Sequence, residues 1–454
     1  MRLLKAHIVA AVAVLAVAGT VASAETPPLV DAAKRGDAPA VAALLDGGAS
    51  VAAADADGST ALHWASHRDD AESVARLLAA GADVDAATDL GVTALWAASQ
   101  NGSAALVRML LDAGADPNRS LLEGETALMV AARAGAPDVA RLLLAHGADT
   151  EARGPRDQTA MMWAVAQHHA DVVAVLLAHG ADVHARSDVW SQMMAVPPHG
   201  QPEYNADIPH GGNTALMFAA RNGDIASVRL LIAAGADVDD QNAWGVSAVT
   251  MAAHAGYGSL MALLLEAGAD PSAAEAGFAA IHAAVMRRDA KMVASLLDHG
   301  ADPDAVLRTW TPTRRASRDF NFRPALIGAT PFWLAARFAA PDVMRLLAEH
   351  GADPLVVHHA SYKQRYTQVI TESTTALMAA AGMGGGRLRA WVPPDPADAE
   401  LLALDAVQVA LELGADLNAT DLGGRTALDG ARMARMRTVA AFLESQGARP
   451  GGGR

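Results

Sequence analysis

The sequence predicts an all-α solenoid of about eleven helix–turn–helix units, and three observations support this fold class. A Gly-x-Thr-Ala-Leu phrase begins at Gly58 and returns at Gly91 and Gly124, an interval of 33 residues each time. A Gly-Ala-Asp phrase closes most copies, first at Gly81 and then at Gly114. Between these phrases, apolar residues recur at the spacing of an amphipathic helix. Helix pairs this short cannot bury an apolar face alone, so each pair must stack on its neighbours.

The copy that begins at Gly124 shows why each unit should form two helices. Thr126 is placed to cap a first helix, because its side-chain oxygen can accept a free backbone N–H. Gly135 then ends that helix, and Pro137 suits the first position of a second one. Gly147 follows as a left-handed C-terminal cap.

The repeat resembles that of the ankyrin repeat family, whose unit is a β-turn followed by two antiparallel helices. Thr60-Ala61-Leu62-His63 matches the family's Thr-Pro-Leu-His signature except for one alanine, and Thr330-Pro331 keeps the Thr-Pro pair. The resemblance covers residues 29–448. It implies an ankyrin-repeat solenoid with extended β-turn or finger insertions. It also implies protein–protein recognition through the fingers and the concave helical face.

One copy departs from the family pattern at the start of its first helix. Ala279 stands where threonine would cap in the copy that begins at Gly277. Alanine has no side-chain oxygen, so we expect this helix start to be weaker by ~1 kcal/mol.

Residues 1–24 have the pattern of a signal peptide. Arg2 and Lys5 supply a positive start, an apolar run follows, and Ala22-Ser23-Ala24 fits the small-residue cleavage pattern. With this segment the chain resembles an exported bacterial-type ankyrin repeat protein, periplasmic or secreted. An uncleaved membrane anchor is the alternative. After cleavage we expect no membrane association, because no other stretch is apolar for long enough to span a bilayer.

Deviations from the repeat interval predict where extra residues are inserted. Three long intervals keep both helices and the Gly-Ala-Asp phrase, so their extra residues belong to the turn between two repeats. A fourth is lengthened between the two helices of one repeat, and that insertion should emerge on the opposite edge of the stack. The predicted organisation is a degenerate N-terminal capping repeat at 25–57, repeats over 58–423, finger insertions near 185–211, 304–327 and 355–372, an inter-helix insertion near 382–400, and a C-terminal capping repeat with a Gly-rich tail at 424–454.

The finger insertions differ in chemistry from the repeats around them. They concentrate aromatic and arginine side chains, which are the types enriched at binding hot spots, and residues 304–323 carry a net charge of +3. We expect a protein partner with an acidic surface to bind there. The alternative is that the long fingers fold over each other and bury their aromatics in a separate small core. The candidate partner-binding residues are Trp190, Tyr204, Trp310, Arg314, Arg315, Arg318, Phe320, His358, His359, Tyr362, Arg365 and Tyr366.

The composition and the absence of known motifs exclude several classes of function. The formal net charge of −15 argues against nucleic-acid binding, because most of the surface would repel phosphates. The sequence contains no cysteine, which excludes disulfides, catalytic thiolates and cysteine-ligated metals. It also contains no nucleotide-binding, zinc-protease or nucleophile-elbow motif, so we expect no catalytic residues, no metal and no cofactor.

The function predicted from the sequence is that of a non-enzymatic exported scaffold, a monomer that binds a protein partner through its concave face and finger loops. A rigid stack would present aromatic anchors with little ordering entropy left to lose. Two alternatives stay open. One is a small-molecule or glycan-binding protein that uses the finger insertions, and the other is an enzyme whose site lies in those insertions.

Replacing Arg314, Arg315 and Arg318 together by alanine separates the two interpretations of the fingers. We expect thermal unfolding to stay nearly unchanged while capture of the partner weakens, because exposed arginines add more to binding than to folding. Circular dichroism melting and a pull-down measure the two effects. A large fall in the melting temperature would instead support the small-core interpretation.

Overall fold

The computed structural model describes residues 26–195, 205–311, 321–365, 368–385 and 391–452. The predicted signal peptide, residues 1–24, lies outside the described residues. The described part contains 22 α-helices, which form eleven consecutive pairs, and four β-strands. It divides into two compact units, Met1–Arg119 and Ser120–Arg454. Each unit is a stack of helix pairs, so the predicted fold class is confirmed.

The first unit contains three helix pairs, α1 to α6. The first helices of its pairs pack against each other, and so do the second helices, which gives two layers. The helices are α1 Pro28–Arg35, α2 Ala38–Asp46, α3 Ala61–His67, α4 Ala71–Ala79, α5 Ala94–Gln100 and α6 Ala104–Asp112.

The second unit contains eight helix pairs with the same two-layer packing. The first helices are α7 Ala127–Ala134, α9 Ala160–Ala166, α11 Ala215–Asn222, α13 Ala248–Ala255, α15 Ala280–Met286, α17 Pro331–Arg337, α19 Ala376–Ala380 and α21 Ala427–Met433. The second helices are α8 Pro137–Ala145, α10 Ala170–Ala178, α12 Ile225–Ala233, α14 Gly258–Glu266, α16 Ala290–Asp298, α18 Pro341–Glu349, α20 Ala399–Glu412 and α22 Arg437–Ser445.

Two antiparallel hairpins interrupt the second unit, and both lie between one helix pair and the next. Strand β1 (Val189–Ala195) pairs with β2 (Asn205–Gly211) between α10 and α11. Strand β3 (His358–Arg365) pairs with β4 (Gln368–Thr374) between α18 and α19. The long segment between α19 and α20 instead separates the two helices of one pair.

The copy that begins at Gly124 shows how the sequence produces one helix pair. The Thr126 hydroxyl accepts the backbone N–H of Met129 at 3.3 Å and caps α7. Gly135 ends α7 in the left-handed region, with φ at 71°. Pro137 occupies the first position of α8, where no backbone N–H is needed inside the helix. The predicted capping of this pair is confirmed at each of these positions.

Small side chains fill the space between neighbouring first helices. Ala131 and Ala132 of α7 are fully buried, as are Val139 and Leu143 on the facing side of α8. Alanine at these positions lets the helix backbones approach closely. The leucine and valine side chains then fill the space between the two layers.

The helix start at Ala279 has a contact that the sequence analysis did not foresee. Alanine supplies no hydroxyl, but the Nδ1 atom of His282, three residues later, accepts the Ala279 backbone N–H at 3.0 Å. The His282 Nε2–H then donates to the Ala305 carbonyl at 2.9 Å, which lies in the turn after the next helix. His63 makes the equivalent two contacts in the first unit, at 3.1 and 2.9 Å. A buried histidine therefore fastens each of these helix starts to the segment that follows the pair.

Among the described residues, the structure contains no helix that is both long enough and apolar enough to cross a membrane.

Acidification should destabilise the second unit through His282. Burial lowers the pKa of this side chain from its ordinary value of 6.5 to about 4. The folded state therefore binds fewer protons than the unfolded state between these two pH values, so stability falls as pH drops from about 6.5 towards 4. We expect the free energy of unfolding to fall by about 2 kcal/mol between pH 7 and pH 5 from this group.

Urea unfolding of the wild type and of His282→Gln at pH 7 and pH 5 measures this contribution. Glutamine cannot take up a proton, so the variant should lose less stability on acidification than the wild type. Equal pH dependence in the two proteins would contradict the assignment.

Candidate functional site

The first finger insertion is a hairpin that is fastened at its base. The Arg186 guanidinium donates to the carbonyl oxygens of Gly212 and Gln241 at 3.0 and 2.7 Å and pairs with the Asp240 carboxylate. Gly211 closes the hairpin at a φ of 82°, and a Cβ atom there would lie 1.8 Å from the Asp188 carbonyl oxygen. These contacts hold the base of β1 and β2 against the segment that precedes α13.

Trp190 of this hairpin contacts two other side chains, His210 and Arg156. Its cross-strand partner is His210, and the two rings stack with their centroids 4.5 Å apart. The Arg156 guanidinium lies over the indole, 4.4 Å from the ring centroid. Arg156 also makes a 3.5 Å ion pair with Asp188, immediately before β1. The cation–π contact with Arg156 and the stacking contact with His210 therefore fix the Trp190 ring.

The backbone that carries Arg156 is in an uncommon conformation. Arg156 and Asp157 both have positive φ, 62° and 51°, which side chains with a Cβ atom rarely adopt. The Asp188 backbone N–H donates to the Arg156 carbonyl at 2.9 Å and helps to hold this turn. The turn places the guanidinium over the hairpin, and strain of this kind is often found at binding sites.

A cavity of about 570 Å³ lies between this hairpin and the first helices of the two following repeats. Its aromatic walls are Trp190, Phe218 of α11, Trp244 and Phe278, and Thr311 of the second insertion lies at its edge. The rings of Trp244 and Phe278 meet edge to face at 5.9 Å. The cavity is therefore bounded by two of the predicted insertions and by the layer of first helices.

Arg221 is the cationic side chain of this cavity that has no charged partner among the described residues. It lies in the last turn of α11, and its guanidinium is 4.9 Å from the centre of the Phe218 ring. Loss of hydration in these surroundings lowers the pKa of Arg221, although the side chain still reaches solvent through the open cavity. The ordinary pKa of an arginine is so high that the group stays charged near neutral pH. The cavity therefore holds a guanidinium that is free to bind an anion.

The second finger insertion takes part in a small aromatic core shared with neighbouring segments. Phe322 is fully buried and packs against the rings of Phe278 and Trp391, with centroids 5.2 and 5.0 Å apart. Trp310 is half-buried beside this segment. The candidate residues Arg314, Arg315, Arg318 and Phe320 lie outside the described residues.

The inter-helix insertion leaves the stack after α19 and also contacts the second finger insertion. The Trp391 indole N–H donates to the Asn321 carbonyl at 3.0 Å, and its backbone N–H donates to Met286 at the end of α15. Its ring also meets His254 of α13 edge-on at 4.9 Å. The insertion thus lies across the first-helix layer and reaches the second finger.

The third finger insertion buries one of its predicted contact residues. His358 is fully buried, its ring lies 4.0 Å from Trp333, and its Nε2–H donates to the Ile327 carbonyl at 3.1 Å. Burial lowers the pKa of His358 to about 4, so the ring stays neutral near pH 7. The expectation that His358 lies on a contact surface is therefore wrong, because packing against Trp333 withdraws it from solvent.

Tyr362 of the same hairpin takes part in an internal polar cluster. Its hydroxyl donates to Glu372 at 3.0 Å, and the other Glu372 oxygen accepts the Gly385 backbone N–H at 2.6 Å. Burial and the Glu372 carboxylate raise the pKa of Tyr362, which keeps the hydroxyl protonated as a donor. Arg337 of α17, whose pKa is lowered by burial, donates to the Gly384 carbonyl at 2.8 Å. The cluster ties the hairpin to the chain that follows α19.

The remaining candidates of the third insertion are placed only in part. His359 is exposed on β3. Arg365 lies on the same strand, and its backbone alone is described. Tyr366, like Tyr204 of the first insertion, lies outside the described residues.

Five segments of the chain match the model of a family described as ankyrin repeats in three copies, and together they cover well over half of the sequence. The segments are residues 29–121, 117–187, 199–274, 216–307 and 252–358. This chain belongs to the ankyrin repeat family.

A comparison with solved structures found a similar chain. The ankyrin repeat chain is similar to a crystal structure of the human ASB11 ankyrin repeat domain, with 28% sequence identity and a TM-score of 0.45. That similarity covers 54% of this chain and 99% of the other. No curated protein matches the chain.

The cavity of this ankyrin repeat chain includes residues that the sequence analysis did not select. Arg221 stands in the last turn of a first helix, where a cation is ordinary because it favours the helix C-terminus. Arg156 belongs to a copy whose start reads Asp-Gln-Thr instead of Gly-x-Thr, and that departure was the available signal. Trp190 was selected, and the structure brings it together with both arginines. No group of three or more potential metal ligands occurs among the described side chains.

Proposed function

We propose that this chain is a non-enzymatic scaffold that binds a protein partner through the exposed segments joining its repeats. Ankyrin repeats generally mediate protein–protein interaction, and proteins of the family are typically non-enzymatic binding scaffolds. The proposed function goes further, because it assigns the contact to one edge of the second unit and to its finger insertions.

The observation that carries this proposal is the position of the large apolar side chains that the second unit exposes. Leu122 is 77% exposed, Met193 64% and Leu355 54%, and each lies in a segment that joins two repeats. Val189, Val369 and Leu422 follow the same pattern. Single exposed apolar residues are ordinary, but their concentration in the joining segments is typical of a surface that a partner covers.

The basic residues of the insertions complete the proposed surface. His359 is exposed next to the buried His358, and Arg314, Arg315 and Arg318 follow Trp310 in the sequence. We propose that these side chains face acidic groups of the partner while the apolar side chains supply the desolvated contacts.

We propose in addition that the chain acts outside the cytoplasm as a monomer. The location outside the cytoplasm is supported by the positive start, apolar run and small-residue cleavage pattern of residues 1–24. A mature protein recovered from the cell envelope or medium and beginning at Glu25 would support it, whereas recovery of the intact chain from the cytoplasm would contradict it.

A second candidate function is the binding of a small molecule, and one specific observation favours it. The cavity beside the first hairpin has a volume of about 570 Å³, within the range of roughly 300–1,000 Å³ that is usual for ligand sites. It shares β1 with the proposed partner surface but uses the other face of that strand. Trp190 turns towards the cavity, while Met193 lies on the opposite side because side chains alternate along a strand.

A double variant, Met193→Lys with Leu355→Lys, should weaken partner binding at least tenfold. Both side chains are exposed, so lysine costs little in the free protein but would leave a charge unpaired in the complex. The partner is first captured from the native envelope and identified. The dissociation constant of the purified pair is then measured by isothermal titration calorimetry.

Leu401→Lys is the matched control. Leu401 is 60% exposed, similar to the two test positions, but it lies on α20 and away from the joining segments. The control should bind like the wild type, and all three proteins should melt alike. Equal affinity of the double variant and the control would contradict the proposed surface.

A further inference from the structure

We infer that the cavity beside the first hairpin binds a monoanionic carboxylate attached to a planar aromatic group. The inference goes beyond the proposed partner surface, because it concerns the opposite face of β1 and the layer of first helices behind it. It rests on the aromatic walls, on the charge balance and on the way in which both arginines are held.

The walls of the cavity fit a flat ring. Trp190 and Trp244 are half-buried, while Phe218 and Phe278 are buried and present ring surface to the cavity. Aromatic rings bind another ring by offset stacking or edge contact and exclude water from it. A volume of about 570 Å³ accommodates a ring system with a short acidic side chain.

The charged side chains that line the cavity are balanced by a ligand with one negative charge. Besides the two histidines His210 and His254, the lining contains three carboxylate or guanidinium side chains, and two of these, Arg156 and Asp188, form an ion pair with each other. Arg221 makes no ion pair with any described residue, so the net charge of the lining is +1 when both histidines are counted as neutral. A carboxylate neutralises this charge and accepts two parallel hydrogen bonds from a guanidinium. A phosphate dianion would leave one negative charge in excess, and a cation would be repelled.

The two arginines are already held in place before a ligand arrives. Arg221 lies against the ring of Phe218, and Arg156 lies over Trp190 at the turn with two positive φ angles. Side chains fixed in this way lose less conformational entropy on binding than free ones. Arg221 then binds the carboxylate, while Arg156 keeps the indole of Trp190 in position as one wall for the ring.

The matched probes for this inference are 2-naphthylacetate and its amide, 2-naphthylacetamide. The two have nearly the same shape, but only the acid carries a charge. Calorimetric titration of the full-length protein should show one site for the acid and at least tenfold weaker binding of the amide. Quenching of tryptophan fluorescence reports whether the probe reaches Trp190 and Trp244.

Arg221→Gln should weaken binding of the acid at least tenfold and leave binding of the amide unchanged. Arg229→Gln is the control, because Arg229 is an exposed arginine on α12 that does not line the cavity. Trp244→Ala should weaken both probes, since it removes a wall of the ring site. Thermal melting verifies that each variant is folded.

A carboxylate attached to an aromatic group occurs both in a free acid and at the C-terminus of a peptide that ends in an aromatic residue. Acetyl-Gly-Gly-Phe and its C-terminal amide distinguish these sources when compared with the naphthyl pair. Preference for the charged form in either pair supports the carboxylate site and identifies the source. The inference is overturned if neither acid binds, or if Arg221→Gln binds the acids as the wild type does. Partner binding by the Met193 and Leu355 surface is measured in a separate experiment. Failure of the carboxylate site therefore does not count against the partner surface, and failure of the partner surface does not count against the carboxylate site.

Discussion

The structure depends on one constraint: its helices are too short to be stable alone. Most of them have seven to nine residues, well below the ~12–15 residues at which isolated helices become even marginally stable in water. Each pair must therefore bury its apolar side against the pairs before and after it. The fully buried alanines of the first helices, such as Ala131 and Ala132, make this contact close enough to be continuous within each unit.

The same constraint determines where additional chain can be inserted. An insertion inside a helix would break a layer, whereas a segment between two pairs can lengthen if its backbone groups find partners. The first and third insertions meet this requirement by pairing with themselves as hairpins. The inter-helix insertion uses side-chain contacts instead, since Trp391 bonds to Asn321 and packs on Phe322. The insertions thus follow the first-helix layer and create the cavity without disturbing the stack.

Sequence periodicity predicts this fold well because the interactions that form each repeat are local. The cap at Thr126 involves a residue three positions away, and the stacking partner lies one repeat away. The site was predicted only in part because its contacts connect distant positions. Trp391 and Asn321 are 70 residues apart, and Arg186 reaches Gln241 across 55. The repeat pattern contains no information about such long-range pairs. The burial of His358 and the open position of Arg221 are therefore seen only in the structure.

The overall charge explains why recognition on this protein must be local. A formal charge of −15 opposes the approach of any anion, including an acidic partner. Salt limits that repulsion to roughly 8 Å at physiological ionic strength, so a site is governed mainly by the groups within its own radius. Arg221 meets an anion inside a partly desolvated cavity. Its attraction for the anion is screened less there than the repulsion by the distant surface carboxylates. A single guanidinium that has no ion pair in the described part of the chain can therefore outweigh the acidic surface, provided that apolar walls keep water away from it and the anion.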